Sequence, residues 1–325
     1  MPNISYQGES HSLLEGESVL DGLLRLGVPV SYSCRSGICQ SCVMRAVEGE
    51  LPSAAQQGLS DDQKARGLML ACSCIPKGDL KLASAEDDIN RFETLVLSRD
   101  QLCPDIMRLR LRIPENYTYH AGQFLTLYDD QGEGRSYSLA SVPGIDDFLE
   151  LHIRHIEKGQ VSTWVHQQLK TGDQLQIGEA KGECYYKPGD QQQSLLLIAT
   201  GSGLAPLYGV IRDALLQGHK GSIHLYHGTR TLDQLYYQGK LEALDAENPQ
   251  FHYHPCCSGE TPPYQKISHG RSNDLALSDH SDLKNWRTFV CGHPDMVSSV
   301  KKKAFLAGAS LSEIYADPFI LKRKN

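Results

Sequence analysis

No apolar run in this 325-residue sequence approaches the roughly 18 residues of a membrane-crossing helix, so no membrane span is expected. The first residues lack a basic stretch leading into an apolar segment, and no secretory signal is expected either. An excess of positive charge is also missing. The 32 Lys and Arg against 39 Asp and Glu leave a net charge of −7, which argues against a chain built to coat nucleic acid. Internal repeats and low-complexity tracts are absent from the sequence. An apolar fraction of 40% beside 22% charged residues is an ordinary globular balance and argues against disorder. What the chain does have is cysteine, ten in all. A chain this long can bury a core without disulfide staples, so the spacing of the cysteines decides their meaning.

Three textures follow one another. Residues 1–83 hold five of the cysteines: Cys34, Cys39, Cys42, Cys72 and Cys74. From Phe92 to Tyr186 short apolar runs such as Ile106–Ile113, Phe148–Ile156 and Gln174–Ile177 alternate with turn residues, which predicts a strand-rich barrel or sandwich. From Ser194 the run Leu195–Ile198 passes through a glycine-rich turn into a helical stretch near Leu207–Leu216. Ile223–Tyr226 and Phe289–Val290 read as further strands. Strands alternating with helices predict a parallel α/β sheet. The polar stretches Ala83–Arg91 and Lys187–Gln193 read as linkers. They divide the chain into expected domains 1–83, 91–187 and 193–325.

Cys34-x4-Cys39-x2-Cys42, then twenty-nine residues, then Cys72, is the plant-type spacing for a [2Fe–2S] cluster. One loop presents three thiolates and a distant segment closes the site. Ser33, Ser36, Gly37 and Ser41 are small enough to let backbone N–H groups approach the cluster sulfurs. Zinc sites usually pair two short motifs instead. Cys74 is a rival ligand, but the twenty-nine-residue gap favours Cys72, leaving Cys74 as a small buried side chain. The run Pro29–Cys42, with Leu70-Ala71-Cys72 and Asp79-Leu80, resembles the ferredoxin domain of multicomponent oxygenase reductases. Those relatives often carry glycine where this chain has Gln40.

Ala121–Phe124, Arg135-Ser136-Tyr137-Ser138, Leu151–Arg154 and Gly159–Thr163 follow in an order that resembles the flavin domain of the ferredoxin–NADP reductase superfamily. The resemblance implies a role for each. Arg135 pairs with the flavin pyrophosphate, a match for its planar fork of donors, and Ser136 lies beside it in the motif. Tyr137 packs on the isoalloxazine, and Ser138 lies near flavin N5. His152, Ile153 and Arg154 offer backbone groups to the pyrimidine edge. Gly159, Val161, Ser162 and Thr163 meet the pyrophosphate at a helix start. Taken alone, His152 is more often a packed histidine. Where relatives show Gly-Pro before a later glycine, this chain reads Glu179-Ala180-Lys181-Gly182.

Ile198-Ala199-Thr200-Gly201-Ser202-Gly203-Leu204-Ala205-Pro206 joins a buried strand to a helix, a turn that can present backbone N–H groups to a second pyrophosphate. It resembles the nucleotide-binding turn of the same superfamily. The resemblance gives Thr200, Gly201, Gly203, Leu204, Ala205 and Pro206 to the coenzyme. Cys291-Gly292-His293-Pro294-Asp295-Met296 supports it, implying that Cys291 lies beside the nicotinamide, with Gly292, Pro294 and Met296 around it. Phe319, in the terminal Glu313–Phe319, is the aromatic expected near the flavin. Arg230, in Tyr226–Arg230, is expected near the adenosine; no basic cluster surrounds it to hold a 2′-phosphate, which favours NADH over NADPH. His252, His254, Cys256 and Cys257 fall on a strand in which the histidines share a face and the cysteines point apart, so a second metal site is not favoured.

The fold class expected is therefore multidomain, α+β and α/β: an N-terminal β-grasp ferredoxin domain, a middle antiparallel β-barrel flavin domain and a C-terminal parallel α/β nucleotide domain. The resemblance is nearest to the naphthalene dioxygenase type of reductase, in which the flavin is FAD. It implies that electrons pass from NADH through FAD and [2Fe–2S], one at a time, to a terminal oxygenase or a separate ferredoxin that docks transiently. Ser138 and Cys291 would shape the transfer. Thiolate ligands imply a reducing compartment, so a cytoplasmic protein is expected. Two other functions compete: a similar reductase serving a non-oxygenase partner such as a deoxysugar dehydratase, and a redox sensor or adaptor. The intact nucleotide turn argues against the sensor.

Overall fold

The computed structural model describes residues 2–28, 30, 32, 35, 37, 40–85, 90–262 and 266–319. The chain forms two compact units, Met1–Arg91 with the short segment Gln131–Ser136, and Phe92–Asp130 with Tyr137–Ile320.

In the first unit β1 (Asn3–Tyr6) and β2 (Glu9–Ser12) pair antiparallel across Gln7-Gly8, both at positive φ, the twist a two-residue hairpin favours. Helix α1 (Val19–Arg25) starts at Ser18, whose hydroxyl accepts the Asp21 N–H. After it come β3 (Val43–Glu48), α2 (Asp61–Ala65), β4 (Leu68–Leu70) and β5 (Leu80–Ser84). The sheet order is β2-β1-β5-β3-β4, with β5 parallel to β1 and antiparallel to β3. Val19, Leu20 and Leu23 of α1 share one core with Ile4, Met44, Leu68 and Leu82 of the sheet, the β-grasp arrangement.

A six-stranded antiparallel sheet, in the second unit except for Arg91 and Gly134–Ser136, is built from β6 (Arg91–Cys103), β7 (Ile106–Arg112), β8 (Phe124–Tyr128), β9 (Gly134–Ser138), β10 (Phe148–Arg154) and β11 (Gln174–Gly178). The order is β10-β7-β6-β11-β8-β9. A bridge between Leu139 and Leu151 brings the two edges together and closes the sheet into a barrel. Leu109, Leu111, Leu125, Leu127, Leu149, Leu151 and Ile153 fill it, joined by Val161, Trp164 and Val165 of α3 (Gln160–Gln167).

The second unit continues as a parallel sheet. Its elements are β12 (Leu195–Thr200), α4 (Leu204–Leu216), β13 (Ile223–Thr229), α5 (Gln238–Glu247), β14 (Phe251–Cys257), β15 (Ser268–His269), α6 (Ser272–Asp279), β16 (Arg287–Gly292), α7 (Pro294–Leu306) and β17 (Ile314–Pro318). The order β15-β14-β13-β12-β16-β17 reverses direction of winding between β12 and β16. In such sheets the crevice at the carboxyl ends of the two strands flanking this reversal is where ligands bind.

Barrel and parallel sheet meet through a buried polar network. His152 Nε2 lies 3.1 Å from Glu150 Oε1 and its Nδ1 3.1 Å from the Tyr236 hydroxyl. Arg110 and the Tyr237 hydroxyl each donate to Glu150 at 2.8 Å. Burial opposes the charge on Glu150, but His152, Arg110 and Tyr237 outweigh it and hold the carboxyl well below the usual range. Tyr237 sits at φ 61, a strained conformation for a tyrosine that this network fixes.

On the parallel sheet His224, His252, His254 and His280 pack together, with His224 Nδ1 3.2 Å from His254 Nε2 and Trp286 against His224 and His280. Burial first, then the neighbouring imidazoles, push His224 down to about 3, against the pull of Asp279. The unfolded chain therefore takes up protons below about pH 6.5 that the folded cluster refuses, so stability present above that pH is lost as pH falls toward 3. Thermal unfolding is expected to shift to lower temperature between pH 7 and 5, with a shallower slope in His224→Gln.

Candidate functional site

The crevice between β12 and β16 is built by glycines. A Cβ on Gly203 would overlap the Cys291 carbonyl oxygen and lie 2.6 Å from its carbonyl carbon and 2.9 Å from the Gly292 nitrogen. Gly292 is at φ 131, and a Cβ there would overlap the Thr200 hydroxyl. Thr200 Oγ1 accepts the His293 N–H at 3.1 Å. The turns at 200–203 and 291–293 thus meet backbone to backbone, and Gly201, at φ 54, opens the N-terminal side of α4. This glycine cradle with the first N–H groups of α4 fits a dinucleotide pyrophosphate. Leu204, Ala205, Pro206 and Met296, expected near the coenzyme, have buried side chains; Met296 joins the core with Val297 and Val300. Pro294 takes the first position of α7 behind the His293 cap. Arg230 is exposed, and its carbonyl accepts the Gly259 N–H.

Strand β17 completes the crevice. It pairs parallel with β16 so that Asp317 stands opposite Cys291, and the Phe319 N–H donates to the Gly292 carbonyl at 2.8 Å. Ser138 Oγ donates to Asp317 Oδ2 at 3.3 Å, joining the last residue of β9 to the C-terminal strand. Ser138, Cys291, Asp317 and the half-buried Phe319 are thus linked across these strands. Burial pushes the Cys291 thiol well up, reinforced by Cys184 and the charge of Asp317, so Cys291 stays protonated. Asp317 and Cys184 carried no role in the sequence reading. The signal that finds Asp317 is the β16–β17 register, which sequence does not show.

The flavin residues divide differently. Ser136 Oγ is buried without a hydrogen-bond partner, the orphaned donor a ligand would satisfy. Arg135 is ion-paired to Glu133 at 2.6 Å, and Tyr137 is half-buried. Gly159 caps α3; a Cβ there would crowd Ser162 Oγ at 2.7 Å and Ile156. Ser162 Oγ accepts the Ile156 N–H at 3.2 Å and donates to the Gly159 carbonyl, and Thr163 lies 3.5 Å from His155, so these side chains shape the loop while the first turn of α3, with Val161 buried, stays available to an anion. Donors of this kind fit a flavin nucleotide. The His152 side chain belongs to the packing network, and Ile153 is in the barrel core. The Arg154 guanidinium, held by Asp105 at 2.7 Å, reaches the turn at 200–203: its Nη1 lies 3.8 Å from the Cβ position of Gly201. Lys181 bridges to Phe124, tying the departing Glu179–Gly182 loop to β8.

In the first unit Cys34 and Cys39 lie outside the described residues. Cys42 is buried and its carbonyl accepts the Ala71 N–H at 3.0 Å, which brings it beside Cys72. Arg35, Gly37 and Gln40 all have positive φ, backbone that lets neighbouring N–H groups converge on an anion and so fits an anionic cluster. Gln40, at φ 56, takes the conformation that glycine adopts freely, and its side-chain amide donates to the Gly58 carbonyl at 2.9 Å. Cys74 is fully buried, and burial pushes its thiol up to about 12.

Comparison with known proteins converges on this arrangement. The family described as 2Fe-2S iron-sulfur cluster binding domain matches residues 5–77, oxidoreductase FAD-binding domain residues 93–186, and oxidoreductase NAD-binding domain residues 197–302. Together they define a pyridine-nucleotide oxidoreductase carrying FAD and a [2Fe–2S] cluster. The chain is 32% identical to the reductase component 2 of terephthalate 1,2-dioxygenase from Comamonas sp, over 94% of this chain and 92% of that one. It is 31% identical to the ferredoxin–NAD(P)(+) reductase component of the naphthalene 1,2-dioxygenase system from Pseudomonas putida, over 94% of each. The crystal structure of an Amycolatopsis cytochrome P450 reductase superposes with a TM-score of 0.70 at 30% identity, covering 98% of this chain and 99% of that one. The chain belongs to the family of iron–sulfur flavoprotein reductase components of oxygenase systems. The two dioxygenase relatives are reductase components of their systems, and no helix among the described residues is long and apolar enough to cross a membrane.

Proposed function

We propose that NADH is the physiological donor, bound across Thr200–Gly203 and Cys291–Gly292, and that single electrons leave through the cluster held by Cys34, Cys39, Cys42 and Cys72 to a terminal oxygenase or its ferredoxin. The observation that carries the proposal is the backbone seam between Gly203 and Cys291, which sets the coenzyme turn against the Ser138–Asp317–Cys291 group. The bound groups together supply the conversion of a two-electron donor into one-electron output. The glycine turn and α4 hold the coenzyme pyrophosphate, and the Arg154 guanidinium beside Gly201 adds positive charge. Asp317 orients the Ser138 hydroxyl, and the protonated Cys291 presents no anion to the nicotinamide. Arg135, Ser136 and Tyr137, with the α3 start at Gly159–Thr163, hold FAD.

Coenzyme choice follows from the loop after β13. Thr231 Oγ1 donates to Asp233 at 2.5 Å, and Glu260 Oε2 accepts the Leu232 N–H at 3.3 Å. A 2′-phosphate near this loop would meet two carboxylates, and like charges brought together cost several kcal/mol. Steady-state ferricyanide reduction is expected to favour NADH over NADPH by about tenfold or more in kcat/KM; equal values would overturn the choice of coenzyme.

Arg135→Ala is expected to weaken flavin binding by about 1.5–3 kcal/mol, the worth of a charge-assisted hydrogen bond. The flavin released by heating is expected to be FAD; recovery of FMN alone would contradict this. Partner docking is brief, because a carrier must leave after each electron, so salt should change its rate wherever charges steer the encounter. Thiolate ligands need a reducing compartment, which supports a cytoplasmic protein.

A further inference from the structure

Cys184 and Cys291, 107 residues apart, place their sulfurs 3.4 Å from each other. Cys184 lies in the irregular segment between β11 and β12, and Cys291 near the end of β16. Neither is in a disulfide. The other cysteines of this unit point elsewhere: Cys256 Sγ to the His254 carbonyl, Cys257 Sγ to the Arg230 carbonyl and Cys103 Sγ to Asp105. A disulfide bond is about 2.05 Å, so the two sulfurs need to close by about 1.3–1.4 Å. Movement of the irregular segment can supply that without unpairing β16. Cys184 is 6% exposed and Cys291 not at all, so an oxidant reaches Cys184 first.

We infer that this pair is an oxidation site that arrests the enzyme, with Cys184 as the attacking thiol and Cys291 as the resolving one. A hydroperoxide oxidises Cys184: its sulfur takes the terminal oxygen to become a sulfenic acid, the O–O bond breaks, and the alcohol or water leaves. The Cys291 sulfur then displaces the hydroxyl of that sulfenic acid, the two thiol-derived sulfurs bond, and water leaves with the Cys291 proton. Two thiols are oxidised and one peroxide is reduced. Cys291, fully buried, does not meet the oxidant first; it resolves the reaction from contact, its sulfur 3.4 Å from that of Cys184. The bond ties the end of the barrel to β16 and consumes the thiol beside the nicotinamide. The arrest rests on that placement of Cys291; formation of the bond does not.

The test uses full-length protein with its groups bound and hydrogen peroxide as probe. Free thiols are blocked, peptides are mapped by mass spectrometry without reduction, and NADH-driven ferricyanide reduction is followed in parallel. A Cys184–Cys291 linked peptide is expected to accumulate as activity is lost, and dithiothreitol to restore both. Cys184→Ala and Cys184→Ser are expected to start at wild-type activity and keep it through the same exposure. Activity lost without the linked peptide, or lost equally in both variants, would overturn the inference. The linked peptide with activity unchanged would overturn the arrest, and with it the placement of Cys291 at the nicotinamide.

Discussion

Gly203→Ala is expected to slow NADH-dependent flavin reduction by roughly 100-fold or more, the scale of loss when reacting groups are misplaced by about 1 Å. The reason is space. Gly203 has φ −61, a helical value open to any residue, so no conformational penalty attaches to the substitution. Its added Cβ would overlap the Cys291 carbonyl, with the Gly292 nitrogen at 2.9 Å. All the atoms it meets are backbone, in a strand of the parallel sheet, and none can swing aside. The two turns must part, and the crevice proposed for the coenzyme parts with them. Iron content is expected to be unchanged. Gly239→Ala is the control: it sits exposed in α5 with nothing within 4 Å of its Cβ position, and there alanine is expected to stabilise by about 1 kcal/mol. Wild-type rates in Gly203→Ala would show that the coenzyme does not use this seam.

Cys72→Ser is expected to abolish cluster binding and reduction of cytochrome c and of the partner, while ferricyanide reduction by NADH persists. Loss of a thiolate ligand exceeds the roughly 10–100-fold that loss of a supporting hydrogen bond costs a metal site. Ferricyanide draws directly from flavin and does not need the cluster. Cys74→Ser is the discriminating partner. Cys74 is fully buried in the core beneath α1, where its carbonyl accepts the Val19 N–H and its side chain packs among apolar neighbours. That variant is expected to keep its cluster. Iron retained in Cys72→Ser and lost in Cys74→Ser would reverse the ligand assignment.

Much of this was legible in the sequence because it is local. The cysteine spacing, the Arg135–Ser138 motif and the turn at 200–206 each occupy a few consecutive residues, and apolar periodicity marked the change from barrel strands to a parallel sheet. What sequence did not yield depends on register and on packing between distant segments. Ser138 and Asp317 meet across 179 residues. Cys184 reaches Cys291 only once the barrel and the parallel sheet are packed together. His152 is held by Tyr236 and Glu150, and nothing near it in the chain announces Tyr236. Gln40 stands where relatives often carry glycine; the structure shows a left-handed residue whose side chain is hydrogen-bonded to Gly58, an accommodation no spacing rule predicts.

The central claim is that this chain carries electrons from a pyridine nucleotide to its own iron–sulfur cluster. Anaerobic titration of the purified protein with NADH, followed by electron paramagnetic resonance, tests it most directly. The expected result is the signal of a reduced [2Fe–2S] cluster appearing with NADH alone, to an extent comparable with that produced by dithionite. A cluster that dithionite reduces but NADH leaves oxidised, with the flavin present, would contradict the account.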